Sequence, residues 1–303
     1  MANAHCIAVD WGTTSFRAYL LNDKFELIDA CRNQHGVMNI TSSFSKVLQN
    51  ACADWVEKYN IENIYLGGVI GSRNGWVETP YSYCPISVGE QKDKFTQLDN
   101  VLGCETRIFH GLQCTSPGGF PDVMRGEEIQ VLGAMHCLEG KPAVLCLPGT
   151  HSKWVSVNNN TIHNFASMMT GEIFALMLMH SSIGSLIDSH EFDQASFLNG
   201  LQDYRESNVA SGCNFLHSMF SVRSRVVSNS LKVDSLYSYL SGMLIADEIN
   251  SAQSMFDLSQ GVHLVSGDKL QQPYLLALET MGIEVQDYAS ETAFISGVQS
   301  LLS

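Results

Sequence analysis

The sequence predicts an α/β protein built from two domains. Three apolar runs separated by short polar turns open the chain, and a segment with helical spacing and a further strand follow them. Each half also contains an apolar run that ends in a Gly-Thr turn and continues into another strand. A chain of 303 residues is long enough for two domains of ordinary size, so the repeated pattern indicates a duplicated fold.

The first half is predicted to begin as an antiparallel meander. Strands over residues 6–9, 15–21 and 24–30 are joined by the turns Gly-Thr-Thr and Asn-Asp, which are too short for a crossover helix. Residues 43–59 then place Phe44, Val47, Leu48 and Trp55 on one face of a helix. A strand over residues 64–70 follows, so helices and strands alternate as they do in α/β layers.

The segment over residues 113–122 interrupts this pattern. Its letters TSPGGFPD hold two prolines and two glycines, which predict neither helix nor strand. We therefore expect an N-terminal domain over residues 1–112 and a C-terminal domain over residues 113–303. The second domain is predicted to contain helices over 127–136, 172–187, 235–255 and 291–302, strands over 143–149 and 261–266, and a hairpin around Asn158–Asn160.

Composition narrows the class of protein. The formal net charge of −14 makes nucleic acid an unfavourable partner, although a few local arginines can still bind an anionic metabolite. The start of the chain has no basic, apolar leader pattern, and the apolar stretch over residues 168–186 is interrupted by Thr170, Gly171, Glu172 and His180. We expect a cytoplasmic protein without a membrane partner, and the composition leaves a homo-oligomer open.

The nine cysteines predict neither a disulfide framework nor a zinc site. No two of them form a Cys-x-x-Cys pair, and their number is odd. Scattered thiols in a reducing compartment are the expected state.

The segment IAVDWGTTSFRAYLL carries the first candidate site. Asp10 ends a strand, Gly12 permits a sharp turn, and Thr13 and Thr14 offer hydroxyl groups and backbone amides to phosphate oxygens. The carboxylate of Asp10 suits Mg²⁺ or its waters, and Arg17 can place positive charge near a transferred phosphoryl group. A plain hairpin turn is the alternative interpretation.

Two further segments offer groups of the same kind. Gly126 precedes a predicted helix whose first turn holds Glu127 and Glu128, where carboxylates are also stabilised by the helix dipole alone. A turn of Gly149, Thr150 and His151 follows, in which Thr150 comes 23 residues after Glu127, and Lys153 is nearby. Because residues 148–151 contain no acid, metal binding would depend chiefly on Asp10.

A glycine and a loop complete the candidates. Gly267 ends a strand and opens a helix, where bare backbone can meet an adenine ring. The loop after the strand over 64–70 clusters Arg73, Asn74, Trp76 and Tyr81, residue types that can line a polyol pocket. A generic turn at Gly267 and a purely structural loop are the alternatives.

These motifs resemble a known family when they are taken together. The Asp10 segment is similar to the first phosphate motif of the actin/hexokinase/heat-shock-protein superfamily, and within it to carbohydrate kinases related to glycerol kinase. GSRNGWVETPY, MRGEEIQVLGA, LPGTHSKWV and MMTGEI resemble, in order, the 2-dehydro-3-deoxygalactonokinases. The resemblance implies two RNase-H-like (actin/hexokinase-type) domains around a cleft. It also implies ATP and Mg²⁺ as cofactors, and phosphorylation of 2-dehydro-3-deoxy-D-galactonate at its 6-hydroxyl in galactonate catabolism.

The resemblance also implies roles for single residues. Asp10 would serve the metal, with Thr13, Thr14, Arg17 and the turn at Gly149, Thr150 and His151 around the phosphates and Gly267 at the adenosine. Glu127 stands where related kinases carry a catalytic Asp, and since Glu is one methylene longer, Glu128 competes for the role of base. The sugar acid would bind Arg73 and Arg125, beside Asn74, Trp76 and Tyr81.

Three other functions remain open at this point. A kinase for another small sugar or sugar acid would keep the same turns and change the loop at residues 73–81. A sugar-responsive regulator would need a DNA-binding appendage, which the acidic chain does not display. A phosphohydrolase such as an exopolyphosphatase would be expected to have a basic channel, and the sequence shows none.

Overall fold

The protein is described by a computed structural model over residues 4–187, 189–211 and 214–303. The strands are β1 (Ala4–Trp11), β2 (Phe16–Asn22), β3 (Leu27–Asn33), β4 (Asn63–Gly68), β5 (Tyr81–Tyr83), β6 (Ile86–Ser87), β7 (Phe95–Val101), β8 (Cys104–Phe109), β9 (Gly111–Thr115), β10 (Pro121–Met124), β11 (Ala143–Leu147), β12 (Ser152–Asn158), β13 (Thr161–Met168), β14 (Val262–Ser266) and β15 (Val285–Ala289). The α-helices are α1 (Phe44–Tyr59), α2 (Val88–Gln91), α3 (Glu127–His136), α4 (Thr170–His180), α5 (Gln194–Ser211), α6 (Phe215–Val227), α7 (Leu236–Met255), α8 (Asp268–Thr280) and α9 (Ser290–Leu302).

The chain divides into two compact units. Unit 1 runs to Pro142 and also includes Val155–Phe165 and Tyr288–Ser303, whereas unit 2 comprises Ala143–Trp154 and Ala166–Asp287. Unit 1 thus continues through α3, which packs against α9 from the end of the chain. The expected division into residues 1–112 and 113–303 was placed at the proline- and glycine-rich stretch that begins near residue 113, and it stays a prediction.

Unit 1 is organised by a six-stranded sheet with the order β3-β2-β1-β4-β8-β7. β1, β2 and β3 pair antiparallel, which confirms the predicted meander. β1 pairs in parallel with β4, and β4 with β8. The third strand begins three residues later than predicted, since a turn occupies residues 22–26 with hydrogen bonds between the backbones of Asn22, Phe25 and Glu26.

The core of unit 1 lies between this sheet and α1. Val47, Leu48 and Cys52 of α1 are buried against strand residues such as Val9 and Leu66. The helix begins after Ser43, whose side chain accepts a hydrogen bond from the Lys46 amide. An N-cap of this kind typically stabilises a helix by about 1 kcal/mol.

The segment around residues 113–122 corrects one expectation. β9 and β10 pair antiparallel in a three-stranded sheet of order β10-β9-β5. The prolines and glycines occupy the turn and the start of β10, which lies at the edge of the sheet and does not need every backbone donor. The expectation that this segment forms neither helix nor strand is therefore wrong, because its two ends are paired strands of a β-hairpin.

Unit 2 combines parallel strands with five helices among the described residues. β11 and β14 pair in parallel. The predicted hairpin is present as β12 and β13, and its residues Val155–Phe165 belong to unit 1. α4 to α8 supply the helices, and the core includes Trp154, Phe197, Tyr239, Leu244 and Tyr274. The predicted helices over 127–136, 235–255 and 291–302 correspond to α3, α7 and α9.

Two helical predictions differ from the structure. α5 and α6 were not predicted. Polar residues interrupt the apolar pattern of α5, whereas Phe215, Met219 and Val222 of α6 recur at helical spacing and pack into the unit 2 core. The helix expected over 172–187 ends at His180, after which the Ser181 hydroxyl bonds the Met177 carbonyl and accepts from the amides of Ile183 and Gly184. A serine used in this way replaces the next helical hydrogen bonds and ends the helix.

The state of the cysteines and the character of the helices can be compared with what the composition predicted. The eight cysteines in the described part of the chain are free thiols, and Cys213 lies outside it. Within the same residues, no helix combines the length and the apolar character needed to cross a bilayer.

Candidate active site

The Asp10 turn lies where β1 ends and β2 begins. The Gly12 amide bonds the Ser15 carbonyl at 2.9 Å, which closes the turn, and Thr13 and Thr14 are exposed at its tip. Asp10 is paired in register with Gly67 of the parallel neighbour β4. The prediction of a strand that delivers Asp10 to a tight turn is therefore confirmed in its geometry.

A second segment supports this turn, and the sequence did not reveal it. The amides of Val37 and Met38 donate to the carbonyls of Gly12 and Thr13, each at 3.0 Å. A Cβ at Gly36 would lie 2.3 Å from the Thr14 backbone, so only glycine permits this approach. The turn is thus bound along one side by the segment over residues 36–39.

Asp10 and Arg17 form an ion pair across the two strands. Arg17 Nη1 lies 3.0 Å from Asp10 Oδ2, and the two residues are register partners in the β1–β2 ladder. The Asp10 side chain is 13% exposed, and this burial raises the pKa of its carboxyl, an effect that Arg17 partly offsets. The turn therefore holds a carboxylate that further positive charge would stabilise.

The Asp10 turn fits a magnesium ion that is bound through a single protein carboxylate. The described residues contain no cluster of three or more acidic, histidine or cysteine side chains that would cage a metal. Mg²⁺ is, however, commonly bound through one carboxylate together with waters and substrate phosphates. Asp10 supplies that carboxylate, and the neighbouring turn leaves the side chains of Thr13 and Thr14 open to phosphate oxygens.

The start of α3 lies against the carboxyl ends of β1 and β4, the end of the sheet where the Asp10 turn begins. Gly126, with φ of 110°, precedes the helix, and a Cβ on it would lie 2.9 Å from the Gly68 Cα. Gly68 is also the register partner of Trp11. The end of β4 therefore contacts both the end of β1 and the residue before α3. Unit 1 therefore places the start of α3 beside the carboxyl ends of β1 and β4, and β1 is the strand that carries Asp10.

The two glutamates at this helix start have different surroundings. Glu127 is half-buried, and its Oε2 accepts from the Arg125 amide at 3.1 Å. Glu128 is 1% exposed, and its Oε2 accepts from the Gly126 amide at 2.6 Å. Burial, reinforced by the charge of Glu127, raises the pKa of Glu128 to about 8. Glu128 therefore retains its proton at neutral pH, which favours Glu127 as the group able to accept one.

The loop predicted to bind sugar divides into an open part and a packed part. Arg73 and Asn74 are exposed, and Arg73 has no ion pair within the described ranges. Trp76 instead packs in the core, with its ring stacked on Phe44 at 6.2 Å between centroids and edge-on to Trp11. Its contact with a polyol stays a prediction.

Arg125 lies behind this loop. It is 8% exposed; its Nη2 donates to the Thr79 carbonyl at 2.8 Å and its Nη1 to the Thr79 hydroxyl. The guanidinium also lies 4.1 Å from the centre of the Tyr81 ring, a cation–π contact. Its Nε is buried without a partner in the described part of the chain. Arg125 and Tyr81 are thus brought together, one as a buried cation and the other as its aromatic support.

Unit 2 contains the second Gly-Thr turn. Gly149 and Thr150 follow β11, and the Thr150 carbonyl accepts from the Glu172 amide at 2.9 Å. A Cβ at Gly171 would lie 2.4 Å from the Gly149 carbonyl oxygen, so the start of α4 touches the turn directly. His151 Nε2 hydrogen-bonds Glu172 Oε2 at the surface.

Lys153 does not extend this turn as its sequence position suggested. It is 5% exposed, and its Nζ donates to the Ser167 hydroxyl at 2.7 Å. The alternation along β12 turns Lys153 to the opposite face from its buried neighbours Ser152 and Trp154. The lysine is therefore part of the strand packing in unit 2.

A pocket of about 360 Å³ opens beside the Gly149 turn, entirely within unit 2. Gly149 and Gly171 form one wall, and Asp268 and Lys269, which follow Gly267 at the start of α8, form another. Gly267 itself precedes the residues that line the pocket. The start of α8 after Gly267 and the Gly149 turn thus border the same pocket, and the contact of Gly267 with an adenosine stays a prediction.

Aromatic rings make up much of the remaining pocket wall. Phe174 of α4 and Tyr237 of α7 contact edge to face with centroids 5.1 Å apart, and His190 lies 5.4 Å from Tyr237. The sequence did not single out these residues, because the apolar run around Phe174 has the pattern of a core helix. The volume and the mixture of apolar walls with a few polar groups suit a small organic ligand.

Comparison with known proteins identifies the family. The sequence model of the 2-keto-3-deoxy-galactonokinase family matches residues 10–301. The 2-dehydro-3-deoxygalactonokinase of Escherichia coli (strain K12) is 32% identical over 300 residues, which cover 98% of this chain and 97% of that protein. A probable 2-dehydro-3-deoxygalactonokinase of Rhizobium meliloti (strain 1021) is 31% identical, with 97% and 95% covered.

Solved structures agree with this result. The crystal structure of a protein assigned to the 2-dehydro-3-deoxygalactonokinases from Sinorhizobium meliloti has a TM-score of 0.87 at 30% identity and covers 97% of both chains. An activator of the 2-hydroxyisocaproyl-CoA dehydratase from Clostridium difficile has a TM-score of 0.52 at 12% identity, covers 98% of this chain and 93% of its own, and shares the fold alone. The predicted α/β fold of actin/hexokinase type is confirmed. On the family match and these relatives, the chain belongs to the 2-keto-3-deoxy-galactonokinase family and is a sugar-acid kinase.

Proposed function

We propose that this chain transfers the γ-phosphoryl group of ATP to the 6-hydroxyl of 2-dehydro-3-deoxy-D-galactonate, giving the 6-phosphate and ADP in galactonate catabolism. The observation that carries the proposal is the match to the family over residues 10–301, which includes the Asp10 turn and the Glu127 helix start. Unit 1 also holds these two motifs at one edge of its sheet, through the close approach of Gly126 to Gly68.

Unit 1 supplies the groups that act on the hydroxyl and on the transferred phosphoryl. Glu127 accepts the proton of the 6-hydroxyl as the oxygen attacks phosphorus, since its neighbour Glu128 is already protonated at neutral pH. Arg17, held beside Asp10, adds positive charge where negative charge accumulates in the transition state. Thr13 and Thr14 offer hydroxyl groups and amides to phosphate oxygens. Magnesium bound at Asp10 would neutralise phosphate charge and align the phosphates.

The sugar acid is assigned to the loop and the buried arginine of unit 1. Arg73 is the leading partner for the substrate carboxylate, because it is an exposed cation without an ion pair in the described ranges. Arg125 is a second cation, supported by Tyr81 and Thr79 and with a buried Nε still available. Asn74, Trp76 and Tyr81 are proposed to contact the hydroxyl groups and the carbon chain.

Unit 2 is assigned to the nucleotide. Gly149, Thr150 and His151 present a turn to the phosphates, and the adjoining pocket takes the adenosine between the Gly267 helix start and the aromatic walls. A pocket of this volume beside a turn with an exposed hydroxyl fits a purine nucleoside that carries phosphates.

The experiment is an ADP-release assay with the purified protein across a panel of sugar acids and neutral sugars. We expect the highest kcat/KM for 2-dehydro-3-deoxy-D-galactonate, with the product identified by NMR as the 6-phosphate. A higher kcat/KM for a different sugar acid would replace the proposed substrate, and ATP consumption independent of any sugar acid would reject phosphoryl transfer to one.

A further inference from the structure

A buried carboxyl group stands behind the pocket of unit 2. Glu248 of α7 is 2% exposed. Its Oε1 accepts from the indole Nε1 of Trp154 at 2.9 Å, and its Oε2 accepts from the hydroxyl of Tyr274 at 2.8 Å. Within the described part of the chain, no lysine or arginine pairs with this carboxyl.

Two further hydroxyl groups complete the surroundings of Glu248. The side chains of Ser152 and Thr170 also hydrogen-bond it, and Ser152 Oγ lies 3.1 Å from the Tyr274 hydroxyl. All four partners are neutral donors. Burial raises the pKa of Glu248, and these four hydrogen bonds oppose that rise.

The four partners belong to the three segments that surround the pocket. Ser152 and Trp154 begin β12 directly after the turn at Gly149–His151. Thr170 is the first residue of α4, whose next residue touches Gly149, and Tyr274 lies on α8 after Gly267. Thr170 and Tyr274 themselves line the pocket. One carboxyl group therefore connects the phosphate turn, the start of α4 and the α8 wall.

A buried carboxyl group at this position is not expected to make the fold more stable than an apolar side chain of the same volume would. Removing such a group from water costs several kcal/mol, and well-packed apolar residues of the same volume are often as stable or more so. A carboxyl with four donors does, however, fix the orientation of each hydroxyl and of the indole ring, because each donor must point at an oxygen.

We propose that Glu248 is a positioning residue for nucleotide binding, which holds the Gly149 turn, the start of α4 and Tyr274 in the arrangement that forms the pocket. It acts through Ser152, Thr170 and Tyr274 and does not touch the ligand. The inference rests on the proposed function, because that function assigns the pocket to the nucleotide.

The first test is Glu248→Gln. Trp154 can only donate, so the amide oxygen of the new side chain must face the indole and its NH₂ must face Tyr274. The Tyr274 hydroxyl then has to turn and accept, and the four donors around the side chain are left with one acceptor oxygen in place of two. We expect the Kd for a non-hydrolysable ATP analogue, measured by calorimetry, to rise about 10-fold. KM for ATP should rise with it, while kcat and KM for the sugar acid stay within about 3-fold.

A neighbouring residue provides the matched control. Tyr204 of α5 donates its hydroxyl to Asp247, the residue before Glu248 on α7, and neither lines the pocket. Tyr204→Phe removes a partly buried hydrogen bond of the same unit and is expected to lower Tm without changing the Kd for the analogue. Tyr274→Phe keeps the pocket ring, removes only the hydroxyl, and should raise that Kd by about 3- to 10-fold.

The outcomes separate the two levels of the proposal. If the wild type binds no nucleotide, the proposed function fails and this inference with it. If the wild type binds and Glu248→Gln binds equally well, the inference alone is overturned. It is also overturned if Tyr204→Phe raises the Kd as much as Glu248→Gln does. Should Glu248→Gln fail to fold, an unchanged Kd for Tyr274→Phe overturns it.

Discussion

The two Gly-Thr turns of the molecule are alike in the chain and different in their chemistry. In unit 1 the turn follows Asp10, a partly accessible carboxylate paired with Arg17, and the start of α3 brings Glu127 to the same sheet edge. In unit 2 the turn at Gly149 and Thr150 has no acid of its own. Glu172 of α4 is paired with His151 at the surface, and the carboxyl of Glu248 is buried behind the turn among neutral donors.

The difference indicates a division of labour between the units. Accessible acids can exchange protons and hold a cation, whereas a buried acid saturated with donors can only fix its neighbours. On this basis we expect substitutions at the unit 1 acids to lower kcat, and substitutions behind the unit 2 turn to raise KM for ATP.

The largest effect is expected for Glu127→Gln. Glutamine keeps the shape and the hydrogen bond from the Arg125 amide but cannot accept the substrate proton. We expect kcat to fall by about 10²–10⁴-fold, with KM for both substrates nearly unchanged. Steady-state kinetics measure this, and Glu128→Gln at neutral pH is the control that should stay within a few-fold of wild type. Loss of activity in the control and not in Glu127→Gln would move the base by one residue.

The next effect is expected for Asp10→Asn. The substitution removes the carboxylate proposed to hold Mg²⁺ and leaves Arg17 without its partner. We expect kcat to fall by about 10²–10³-fold in a protein whose circular dichroism is unchanged. A titration with magnesium chloride checks the cause, because near wild-type kcat at saturating Mg²⁺ would remove Asp10 from this role.

A smaller effect is expected on substrate affinity for Arg73→Ala. A charged hydrogen bond contributes roughly 1.5–3 kcal/mol, so KM for the sugar acid should rise about 10- to 150-fold. KM for ATP should change little if unit 1 binds the acceptor and unit 2 the nucleotide. The opposite result, a weaker KM for ATP alone, would place Arg73 with the nucleotide and end the division between units.

The smallest effect on activity, but a clear one on stability, is expected for Glu128→Gln. Glu128 keeps its proton to about pH 8 in the folded protein, against an ordinary value of 4.5. The folded state therefore holds one more proton than the unfolded state between these values, so this contribution to stability is complete below about pH 4.5 and declines as pH rises towards 8. The slope approaches about 1.4 kcal/mol per pH unit.

Urea unfolding of wild type and Glu128→Gln at pH 5, 6, 7 and 8 measures this decline. The variant should gain free energy of unfolding relative to wild type at each step. A constant difference between the two proteins across this range would show that Glu128 is ionised in the folded state.

Short sequence patterns were sufficient to predict the Asp10 turn and the helix start after Gly126. A strand that ends in Asp10 before Gly-Thr-Thr, and a Gly126 that precedes two acids and an apolar helical run, are short-range signals, and both segments have the predicted geometry. The hairpin at β12 and β13 was equally clear in the sequence, because two runs with the pattern of strands flank three asparagines.

Other features depend on residues that are distant in the chain. Gly36 contacts the Thr14 backbone, and no sequence period connects the two positions. Phe174 and Tyr237 form a pocket wall although each lies in a helix with the composition of a core. The different burial of Glu127 and Glu128 results from the packing of α3, so adjacent residues of the same type have different chemistry.

The hydrogen bonds that support the Asp10 turn determine its polarity towards a ligand. The carbonyls of Gly12 and Thr13 accept hydrogen bonds from the amides of Val37 and Met38, and the Ser15 carbonyl accepts one from the Gly12 amide. The Thr14 carbonyl accepts a hydrogen bond from the Asn39 side chain. Within the described residues, the amides of Thr13 and Thr14 donate to no other group. The backbone of the turn is therefore left with donors and few free acceptors. We therefore expect the turn to favour an anionic ligand such as a phosphate group, because its free backbone groups are donors and its carbonyl oxygens already accept hydrogen bonds.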